Sequence, residues 1–406
     1  MELRPATSNR IPFYLAFAAA LAPLFSGAVC NILIALAVVA LVVYRVPLRV
    51  PRGVLLPLGL FAALTLIATL TSADPWLGRT GMRKFYLFLL PALILATFRT
   101  LAEVRALVYS WTALLCASSL WSLVQFAKKY QQAKALGRPF YEYYTGERIT
   151  GFMSHWMTLG GEQMNIVLLI AAVWLFYRKR HWMLAAIAFI LVALLAGYTR
   201  SIWLGTAVGG LYLIWNWKRF AVLLTPVPLI LLVIANPADI RERVKSSFAP
   251  HGDTDSNQFR VICRRTGAEM IRAHPWLGLG PEQPRVQFEK WIPADVPRPL
   301  PSGWYGHLHN LYYHFAAERG IPALLAFLWF IGRMLWDHFR GLRNATDEQK
   351  AVLYGAIATT IAVLFTAYYE VNLGDAEVLA LYLSTMALGY LATGQLDPDR
   401  GQFLDA

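Results

Sequence analysis

The sequence predicts an all-α integral membrane protein with about twelve transmembrane helices. Of its 406 residues, 57% are hydrophobic and 15% are charged, whereas a typical soluble domain carries about 25% charged residues. The mean hydropathy is +0.46, and the apolar residues fall into long runs bounded by Arg, Lys, Gly or Pro. Because one crossing needs roughly 20 apolar residues, twelve crossings use about 240 residues and leave two long loops. We therefore expect residues 1–406 to form a single transmembrane domain rather than an ordinary cytosolic enzyme.

Twelve apolar runs are the candidate membrane helices. No small-residue cleavage site follows the first run, which predicts a permanent helix rather than a removable signal peptide. The fourth run is short for a full crossing, and only Ser26 and Gly27 separate the first two runs, so counts of eleven and thirteen stay open. The runs cover residues 11–26, 28–44, 54–71, 85–98, 106–127, 161–177, 183–199, 201–217, 220–236, 321–337, 351–369 and 376–394.

The distribution of Lys and Arg in the short loops predicts the orientation of these helices. Basic residues accumulate on the cytoplasmic side of a membrane protein. With the N-terminus inside, 16 Lys and Arg residues lie on the cytoplasmic side, and only Arg79, Arg83, Lys84 and Arg200 lie in short outer loops. This imbalance predicts that both termini are cytoplasmic. The two long loops, residues 128–160 and 237–320, are then on the periplasmic side of a bacterial inner membrane.

The net charge and the cysteines restrict the partners of the chain. The chain has 37 Lys and Arg residues and 24 Asp and Glu residues, which give a formal net charge of +13. In a membrane protein this excess of positive charge favours binding of anionic membrane lipids or of a phosphorylated substrate. The sequence has no recognisable nucleic-acid-binding module, so we expect no nucleic acid. Cys30, Cys116 and Cys263 are too far apart to form a disulfide framework or a CxxC metal site.

The first polar cluster is a single arginine between two apolar runs. Residues 198–204 read Tyr-Thr-Arg-Ser-Ile-Trp-Leu, which puts Arg200 in a very short outer turn. One interpretation is an interfacial arginine beside an aromatic belt. The other is a fixed cation at the membrane surface, where the phosphate of a lipid-linked substrate lies.

The second cluster is an arginine-rich segment in the larger loop. Arg260, Arg264 and Arg265 fall in a stretch with helical spacing, and Pro275 and two glycines then end the helix in a turn. An amphipathic helix with its arginines toward lipid headgroups explains this pattern. Bidentate binding of phosphate by an arginine cluster explains it as well.

The third cluster contains three histidines. Residues 307–314 read His-Leu-His-Asn-Leu-Tyr-Tyr-His, and Gly320 with Pro322 after it predicts a helix of about ten residues that begins near His309 and Asn310. The spacing differs from the HExxH of zinc enzymes, and no carboxylate or fourth ligand is obvious, so we expect no metal. A histidine at the membrane surface can accept a proton from a hydroxyl, or it can be a structural hydrogen-bond partner.

Two weaker signals lie in the loops. Arg148 begins the segment Arg-Ile-Thr-Gly-Phe, which with His155 ends the first long loop. Asp253, Thr254 and Asp255 match the DxD pattern by which some glycosyltransferases hold a metal and a nucleotide sugar. Three-residue matches are common in polar loops, and the predicted periplasmic side is wrong for nucleotides.

Taken together, these motifs resemble the O-antigen ligase (WaaL) family within the wider O-antigen ligase and polymerase superfamily. The likeness comes from many spans with one large outer loop late in the chain, Arg200 four residues before a leucine, and His309-Asn310 followed by Gly320. The segment 260–280, which closes with His-Pro-x-x-Gly-x-Gly, resembles the same region of the superfamily. The resemblance implies a GT-C-like architecture whose large periplasmic loop carries short amphipathic helices.

The resemblance implies a glycosyltransferase that moves O-antigen polysaccharide from undecaprenyl diphosphate to the lipid A core oligosaccharide in lipopolysaccharide assembly. Cleavage of a sugar–diphosphate bond leaves negative charge on the departing group, so cations at that place favour the transition state. Arg200, Arg260 and Arg265 are the first candidates for this role, and Arg264 and Arg148 are reserves. We see no carboxylate pair that would hold a divalent metal, so the arginines take its place and no cofactor is expected.

On the acceptor side, His309 is the candidate base, because a sugar hydroxyl is a poor nucleophile until its proton is taken or polarised. Asn310 is expected to orient His309 or to contact a glycan hydroxyl. Tyr312, together with Trp304 and Tyr305, offers aromatic faces on which sugars stack. The resemblance implies direct attack on the anomeric carbon with inversion of its configuration.

Other functions fit the same sequence features. A polymerase or a protein O-oligosaccharyltransferase uses the same donor chemistry and similar motifs. A non-enzymatic transporter of the same lipid-linked glycan shares the basic outer surface, although the spans have few ionisable residues for ion coupling. The partners common to these alternatives are the undecaprenyl-diphosphate-linked glycan and membrane lipids, whereas the lipid A core acceptor is specific to the ligase.

Overall fold

Helices account for almost all of the described structure. The computed structural model describes residues 10–236, 240–245, 257–394 and 403–405. The short strands β1 (Arg49–Pro51) and β2 (Phe403–Asp405) pair antiparallel. The helices are α1 (Ile11–Leu21), α2 (Gly27–Val43), α3 (Arg52–Leu70), α4 (Pro75–Arg83), α5 (Leu89–Thr97), α6 (Leu101–Ala135), α7 (Phe140–Gly146), α8 (Trp156–Phe176), α9 (His181–Ala196), α10 (Arg200–Trp217), α11 (Pro226–Ala235), α12 (Ile240–Lys245), α13 (Asn257–Ala273), α14 (Gln283–Val286), α15 (Leu311–Gly341), α16 (Asp347–Ala367) and α17 (Ala376–Ala392).

The predicted all-α membrane architecture is confirmed, whereas the number of twelve crossings stays a prediction. Five helices of the described chain, α3, α6, α8, α15 and α16, are long and apolar enough to cross a membrane. Shorter apolar helices include α2, α9 and α17. The short fourth run, residues 85–98, begins in a 3-10 turn (Lys84–Phe88) that is followed by α5, and the 9 residues of α5 rise only about 14 Å. This length is about half of the hydrocarbon thickness of a bilayer, so α5 does not cross it alone.

Helix α8 lies at the centre of the bundle, and α10 and α16 pack against it. Almost all of its side chains from Thr158 to Val173 are buried. Gly209 of α10 permits close helix packing, because a Cβ atom there would lie 2.9 Å from the carbonyl oxygen of Ala358. Small residues recur at membrane helix interfaces because close backbones supply the dispersion contacts that lipid does not favour.

One of the few ionisable residues in the apolar runs is completely buried in this core. Glu162 of α8 is fully buried, and neither of its carboxyl oxygens has a hydrogen-bond partner within the described residues. It lies less than two turns from the start of α8, so it belongs to the end of the bundle that carries His155 rather than to its middle.

The first long loop begins later than predicted, because α6 continues to Ala135 instead of ending near residue 127. A capping box of Thr100 and Glu103 fixes its start. Its 35 residues rise about 52 Å, which exceeds the thickness of the hydrocarbon core. The helix therefore extends past the apolar part of the bundle, and α7 follows it.

Helix α15 is interrupted at Gly320. The backbone there has φ 82° and ψ 165°, a conformation that is accessible almost only to glycine. The predicted helix end at this residue is correct locally, but a new helical stretch begins at once and continues to Gly341. A Cβ atom at position 320 would lie 2.1 Å from the carbonyl oxygen of Trp276, so the chain after α13 passes directly against the break.

The turn after α13 is bonded to this break through the backbone. An interrupted helix leaves amide and carbonyl groups without partners, and buried groups of this kind need replacements. The His-Pro-x-x-Gly-x-Gly segment supplies them and thereby fixes the large loop to α15. Leu279 N donates to Ala317 O at 2.8 Å, Gly280 N donates to Glu318 O at 2.9 Å, and Ile321 N donates to Pro275 O at 2.8 Å.

The two ends of the bundle differ in the contacts that they contain. At one end Arg105 forms an ion pair with Glu348, and Arg10 lies 3.8 Å from Glu103. At the other end, α10 begins where α16 finishes, and α13 packs on the first part of α15. We call this second end the site end.

Candidate active site

A buried carboxylate joins three distant parts of the chain at the site end. Glu370 follows α16 and is 5% exposed. It forms an ion pair with Arg260 of α13, and its Oε2 lies 3.2 Å from Nδ1 of His309. Burial alone raises the pKa of the Glu370 carboxyl, but the charge of Arg260 and the hydrogen bond with His309 outweigh it, so the pKa is below its ordinary value.

His309 is held in an unusual conformation immediately before α15. Its φ of 47° lies in the left-handed region, which is uncommon for a residue other than glycine. Its backbone amide donates to Nδ1 of His307 at 3.1 Å, and its ring stands edge-on to Phe259 at 4.9 Å between centroids. Strained residues of this kind persist only where their surroundings fix them, and they concentrate at functional sites.

The two polar groups within hydrogen-bond distance of the His309 ring nitrogens are both hydrogen-bond acceptors. Nδ1 faces the Glu370 carboxylate, and Nε2 lies 2.9 Å from the carbonyl oxygen of Trp304. A ring with a proton on each nitrogen satisfies both contacts, whereas a neutral ring satisfies one of them. A hydroxyl group that replaces the Trp304 carbonyl can donate to Nε2 while Nδ1 keeps its bond to Glu370.

His307 lies beside His309, with their ring centroids 4.1 Å apart. Burial, and then the neighbouring His309, hold the pKa of His307 well below its usual value, so its ring is neutral at pH 7. His307, His309 and Glu370 offer ligand atoms within 4.8 Å of one another, which is a spacing that a metal ion can bridge. The histidines thus have the nearby carboxylate that the sequence did not reveal, but Arg260 and His309 already occupy its oxygens.

Three guanidinium groups gather next to this pair. Loss of water, followed by the charges of Arg243 and Arg260, lowers the pKa of Arg148 to about 9, so Arg148 is still protonated at pH 7. Arg148 donates from Nε to the Thr145 carbonyl and lies over the ring of Trp156. Glu370 offsets part of the mutual repulsion among these cations, and a bound anion offsets more of it. Arg148, Arg243 and Arg260 are called the arginine cluster below.

The turn that carries Arg200 adjoins the arginine cluster. Arg243 is 3% exposed and donates from Nε to the carbonyl of Tyr198 at 2.9 Å. The ring of Tyr198 stands edge-on to that of Tyr144 at 5.0 Å. Arg200 is the first residue of α10, two positions after Tyr198. The turn that carries Arg200 and the loop segment that begins at Arg148 therefore lie close together in the structure.

The three arginines predicted on α13 do not share one environment. Arg260 and Arg264, four residues apart, both face the segment after α16, where Arg264 lies 5.9 Å from the ring of Tyr368. Arg265 is turned from Arg264 by about 100° around the helix axis, and its Nη2 contacts both carboxylate oxygens of Asp295, at 2.7 and 2.6 Å. Both side chains of that pair are largely exposed. The structure thus separates Arg265 from the arginine cluster, a correction to its place among the first candidates.

Residues 185–328 match the family model described as O-antigen ligase. This match confirms, at the level of the O-antigen ligase superfamily, the resemblance inferred from the motifs. The match indicates a multi-pass membrane protein with a ligase- or polymerase-type glycosyltransferase function in polysaccharide assembly. No curated protein matches the chain.

The O-antigen ligase domain contains only part of the site. Arg200, Arg243, Arg260 and His309 lie within the matched residues, as does the break in α15. Arg148 comes from the chain before the match and Glu370 from the chain after it. The arginine cluster and the histidine–carboxylate pair are therefore completed by segments of the chain outside the matched residues.

Two further predicted residues of the O-antigen ligase domain have bonds within the protein. Asn310 is buried and caps α15, with Oδ1 accepting from Tyr313 N and Nδ2 donating to the Tyr368 carbonyl. This agrees with a role in orienting the neighbouring histidine but does not support a direct glycan contact. The hydroxyl of Tyr312 donates to the carbonyl of Leu364 at 2.6 Å, so Tyr312 ties α15 to α16.

Glu370 and Arg243 are the site residues that the sequence analysis missed. Each has a sequence signal in hindsight, because Glu370 is a lone carboxylate one residue after the predicted span 351–369, and Arg243 is in a charged stretch at the start of the larger loop. The DxD match at residues 253–255 lies outside the described residues.

The loop that carries Arg148 is fixed by hydrogen bonds from α6. The side-chain oxygen of Gln125 accepts from the backbone amides of Thr150 and Gly151. His155 accepts from Met157 N and so caps α8. This loop thus has a defined backbone, which holds Arg148 toward Arg243 and Arg260.

Proposed function

We propose that this protein is an O-antigen ligase that transfers O-antigen polysaccharide from undecaprenyl diphosphate to the lipid A core oligosaccharide, without a metal and with inversion at the anomeric carbon. The observation that carries the proposal is the arginine cluster beside the His309–Glu370 pair. We further propose that the site faces the periplasm from the bacterial inner membrane. In this proposal residues 1–406 act as one transmembrane domain, to which the loops 128–160 and 237–320 contribute site residues.

The arginine cluster is suited to the diphosphate of the donor. A departing lipid diphosphate carries at least two negative charges, and preorganised cations stabilise that charge as it develops. Arg148, Arg243 and Arg260 provide planar donors that bind phosphate oxygens in pairs. Arg200 extends the same surface from the start of α10. Bound phosphate also offsets the repulsion from Arg243 and Arg260, which adds to burial in lowering the pKa of Arg148.

The His309–Glu370 pair is suited to the acceptor. Glu370 accepts a hydrogen bond from Nδ1–H and fixes the ring, which leaves Nε2 to take the proton of an acceptor hydroxyl. A carboxylate in this position also stabilises the imidazolium that proton transfer creates, as the aspartate does in serine hydrolases. For this step the hydroxyl takes the place of the Trp304 carbonyl at Nε2.

The reaction then consists of one displacement. The acceptor oxygen forms a bond to the anomeric carbon while the bond from that carbon to the phosphate oxygen breaks. The hydroxyl proton moves to Nε2 of His309, and the electron pair of the broken bond stays on the lipid diphosphate, where the arginine cluster neutralises it. No covalent glycosyl-enzyme is needed, and the anomeric configuration inverts.

The test uses the full-length protein in lipid nanodiscs with undecaprenyl-diphosphate-linked glycan and lipid A core, and with no energy source. Formation of glycosylated lipid A core supports a ligase. Parallel reactions replace the acceptor by a second lipid-linked glycan or by a protein, which detect a polymerase or a protein O-oligosaccharyltransferase. Movement of the donor across a vesicle membrane with no new glycosidic bond would contradict the enzyme and favour the transporter.

A further inference from the structure

An open cleft lies beside His309 in the larger loop. Its volume is about 410 Å³, within the range of about 300–1,000 Å³ that small-molecule sites occupy. Arg285, Glu289, Trp304 and Tyr305 are among its lining residues. It is separate from the arginine cluster, whose residues do not line it.

We propose that this cleft binds an anionic sugar unit of the acceptor, stacked on Trp304 and bound through a phosphate or carboxylate group by Arg285. The inference rests on the proposed function, since it assumes that His309 activates an acceptor hydroxyl. It goes further by assigning the acceptor a chemical class, an oligosaccharide with an acidic group close to the attacked hydroxyl.

The first argument is continuity between the cleft and the base. Trp304 lines the cleft with its side chain, and its own carbonyl oxygen is the atom that contacts Nε2 of His309. A sugar seated against Trp304 therefore lies next to the ring nitrogen that has to receive a hydroxyl proton. Trp304 therefore connects the cleft that binds the sugar with the histidine that receives the proton.

The second argument is the character of the walls. The indole of Trp304 is 58% exposed, which is costly for so large an apolar group unless a ligand or lipid covers it. Beside it, Tyr305 is fixed by a hydrogen bond from its hydroxyl to the Pro301 carbonyl and by ring contacts with Phe259 and Phe288. The cleft thus offers one exposed aromatic face next to a rigid aromatic wall.

The third argument is charge. Glu289 is already paired with Arg298 at 2.9 Å, so its negative charge is compensated. Arg285 is exposed, and within the described ranges of the chain no ion pair or hydrogen bond engages its side chain. A free guanidinium at the mouth of a cleft binds phosphate or carboxylate oxygens in bidentate fashion.

The test is acceptor binding in the absence of donor. Full-length protein in nanodiscs is titrated with delipidated core oligosaccharide in three forms: untreated, dephosphorylated, and carboxyl-reduced. We expect Trp304→Ala to weaken binding of the untreated form about tenfold and Trp304→Phe to retain most of it. Arg285→Gln is expected to weaken the untreated form about tenfold and to leave the form that lacks the bound anion unchanged.

Two controls make the result specific. Lys290→Gln removes an exposed cation that lies on the same segment but does not line the cleft, and it should bind all three forms like the wild type. His309→Ala lacks the base and should still bind the untreated oligosaccharide. Wild-type affinity for the untreated form in both Arg285→Gln and Trp304→Ala would overturn the proposal and leave Trp304 as a membrane-surface anchor.

The outcomes separate the cleft from the proposed function. Binding that depends on Arg285, together with no transfer by the wild type, keeps the cleft and rejects the ligase. Transfer by the wild type with an unchanged acceptor KM in the Arg285 and Trp304 variants keeps the ligase and rejects the cleft. If the cleft is correct, both variants raise the acceptor KM and leave the donor KM unchanged.

Discussion

Arg260 and Arg265 lie five residues apart on α13, yet their surroundings differ in almost every respect. Arg260 contacts a buried carboxylate and interacts with the guanidinium group of Arg148. Arg265 contacts the exposed Asp295. Interactions between exposed charges contribute about 0–1 kcal/mol, whereas buried charges interact much more strongly. The comparison shows that the arginine-rich pattern locates the functional helix, but burial identifies its functional face.

The largest effect is expected from removing His309, the proposed base that shares the buried Glu370 with Arg260. His309→Ala should lower the transfer rate about 10²- to 10⁴-fold, the usual contribution of a general base. Donor binding should persist, because the arginine cluster is intact. The measurement is single-turnover transfer together with donor binding to the same preparation. Undiminished turnover would remove His309 from the mechanism.

The arginine comparison is tested directly by a matched pair of variants. Arg260→Ala should reduce kcat/KM for the donor about 10²-fold, as expected when one charge-stabilising group is removed. Arg265→Ala should change it by less than about twofold, because that side chain contacts only an exposed partner. Since Arg260→Ala also removes the ion pair of the buried Glu370, Arg260→Lys and a thermal unfolding curve serve as folding controls. Equal losses in the Arg260 and Arg265 variants would contradict the distinction between the two faces.

Arg243 tests whether the missed arginine belongs to the buried group. Arg243→Lys keeps the charge but cannot donate in the same geometry to both the Tyr198 carbonyl and the Tyr141 hydroxyl. We expect about a tenfold loss of donor kcat/KM, with acceptor KM unaffected. The control is Arg241→Lys. Arg241 is exposed and lies two residues before Arg243 on α12, so this variant should behave like the wild type. A change confined to acceptor KM would contradict this prediction, because it would show that Arg243 acts on the acceptor rather than on the donor.

The Glu370 carboxylate predicts how stability depends on pH. Its pKa in the folded protein is below the ordinary value, so the carboxylate stabilises the fold fully above about pH 4.3. This contribution disappears as the pH falls through the lower pKa of the folded state. Thermal unfolding in nanodiscs should therefore show a gap in Tm between wild type and Glu370→Gln that is widest near neutral pH and closes on acidification. A gap that widens toward low pH would refute the assignment.

The smallest effect is expected from chelators. Arg260 and His309 occupy the oxygens of Glu370, so a metal at His307, His309 and Glu370 would have to displace a cation. Excess EDTA should change the transfer rate by less than about twofold, because the arginines supply the charge stabilisation that a metal otherwise gives. Loss of transfer that added Mg²⁺ or Zn²⁺ restores would establish a metal-dependent reaction instead.

Local signals in the sequence predicted the parts of the fold that depend on local chemistry. Asn310 caps a helix because its side chain reaches an amide three residues later, and Gly320 breaks a helix because its backbone adopts a positive φ. The amphipathic α13 follows from its spacing. The length of α6 was underestimated because its last turns are polar, and polarity ends an apolar run without ending a helix.

The composition of the site depended on contacts that no local pattern encodes. Glu370 reaches His309 across 61 positions, and Arg148 reaches the arginine cluster because Gln125 fixes its loop. The choice between Arg260 and Arg265 depends on which face of α13 packs toward the end of α16. Side-chain type marked the candidates, and tertiary packing selected among them.

The backbone bonds at Gly320 have a consequence for the diversity of acceptors. Three main-chain hydrogen bonds fasten the segment before residue 281, and the Asn310 cap fastens it after residue 306. Because main-chain bonds tolerate exchange of most side chains, the stretch between these anchors can be recomposed or grafted while the base keeps its position. Under the proposed ligase function, transplanting residues 281–306 between members of the O-antigen ligase superfamily is thus a rational route to enzymes that decorate new glycolipids.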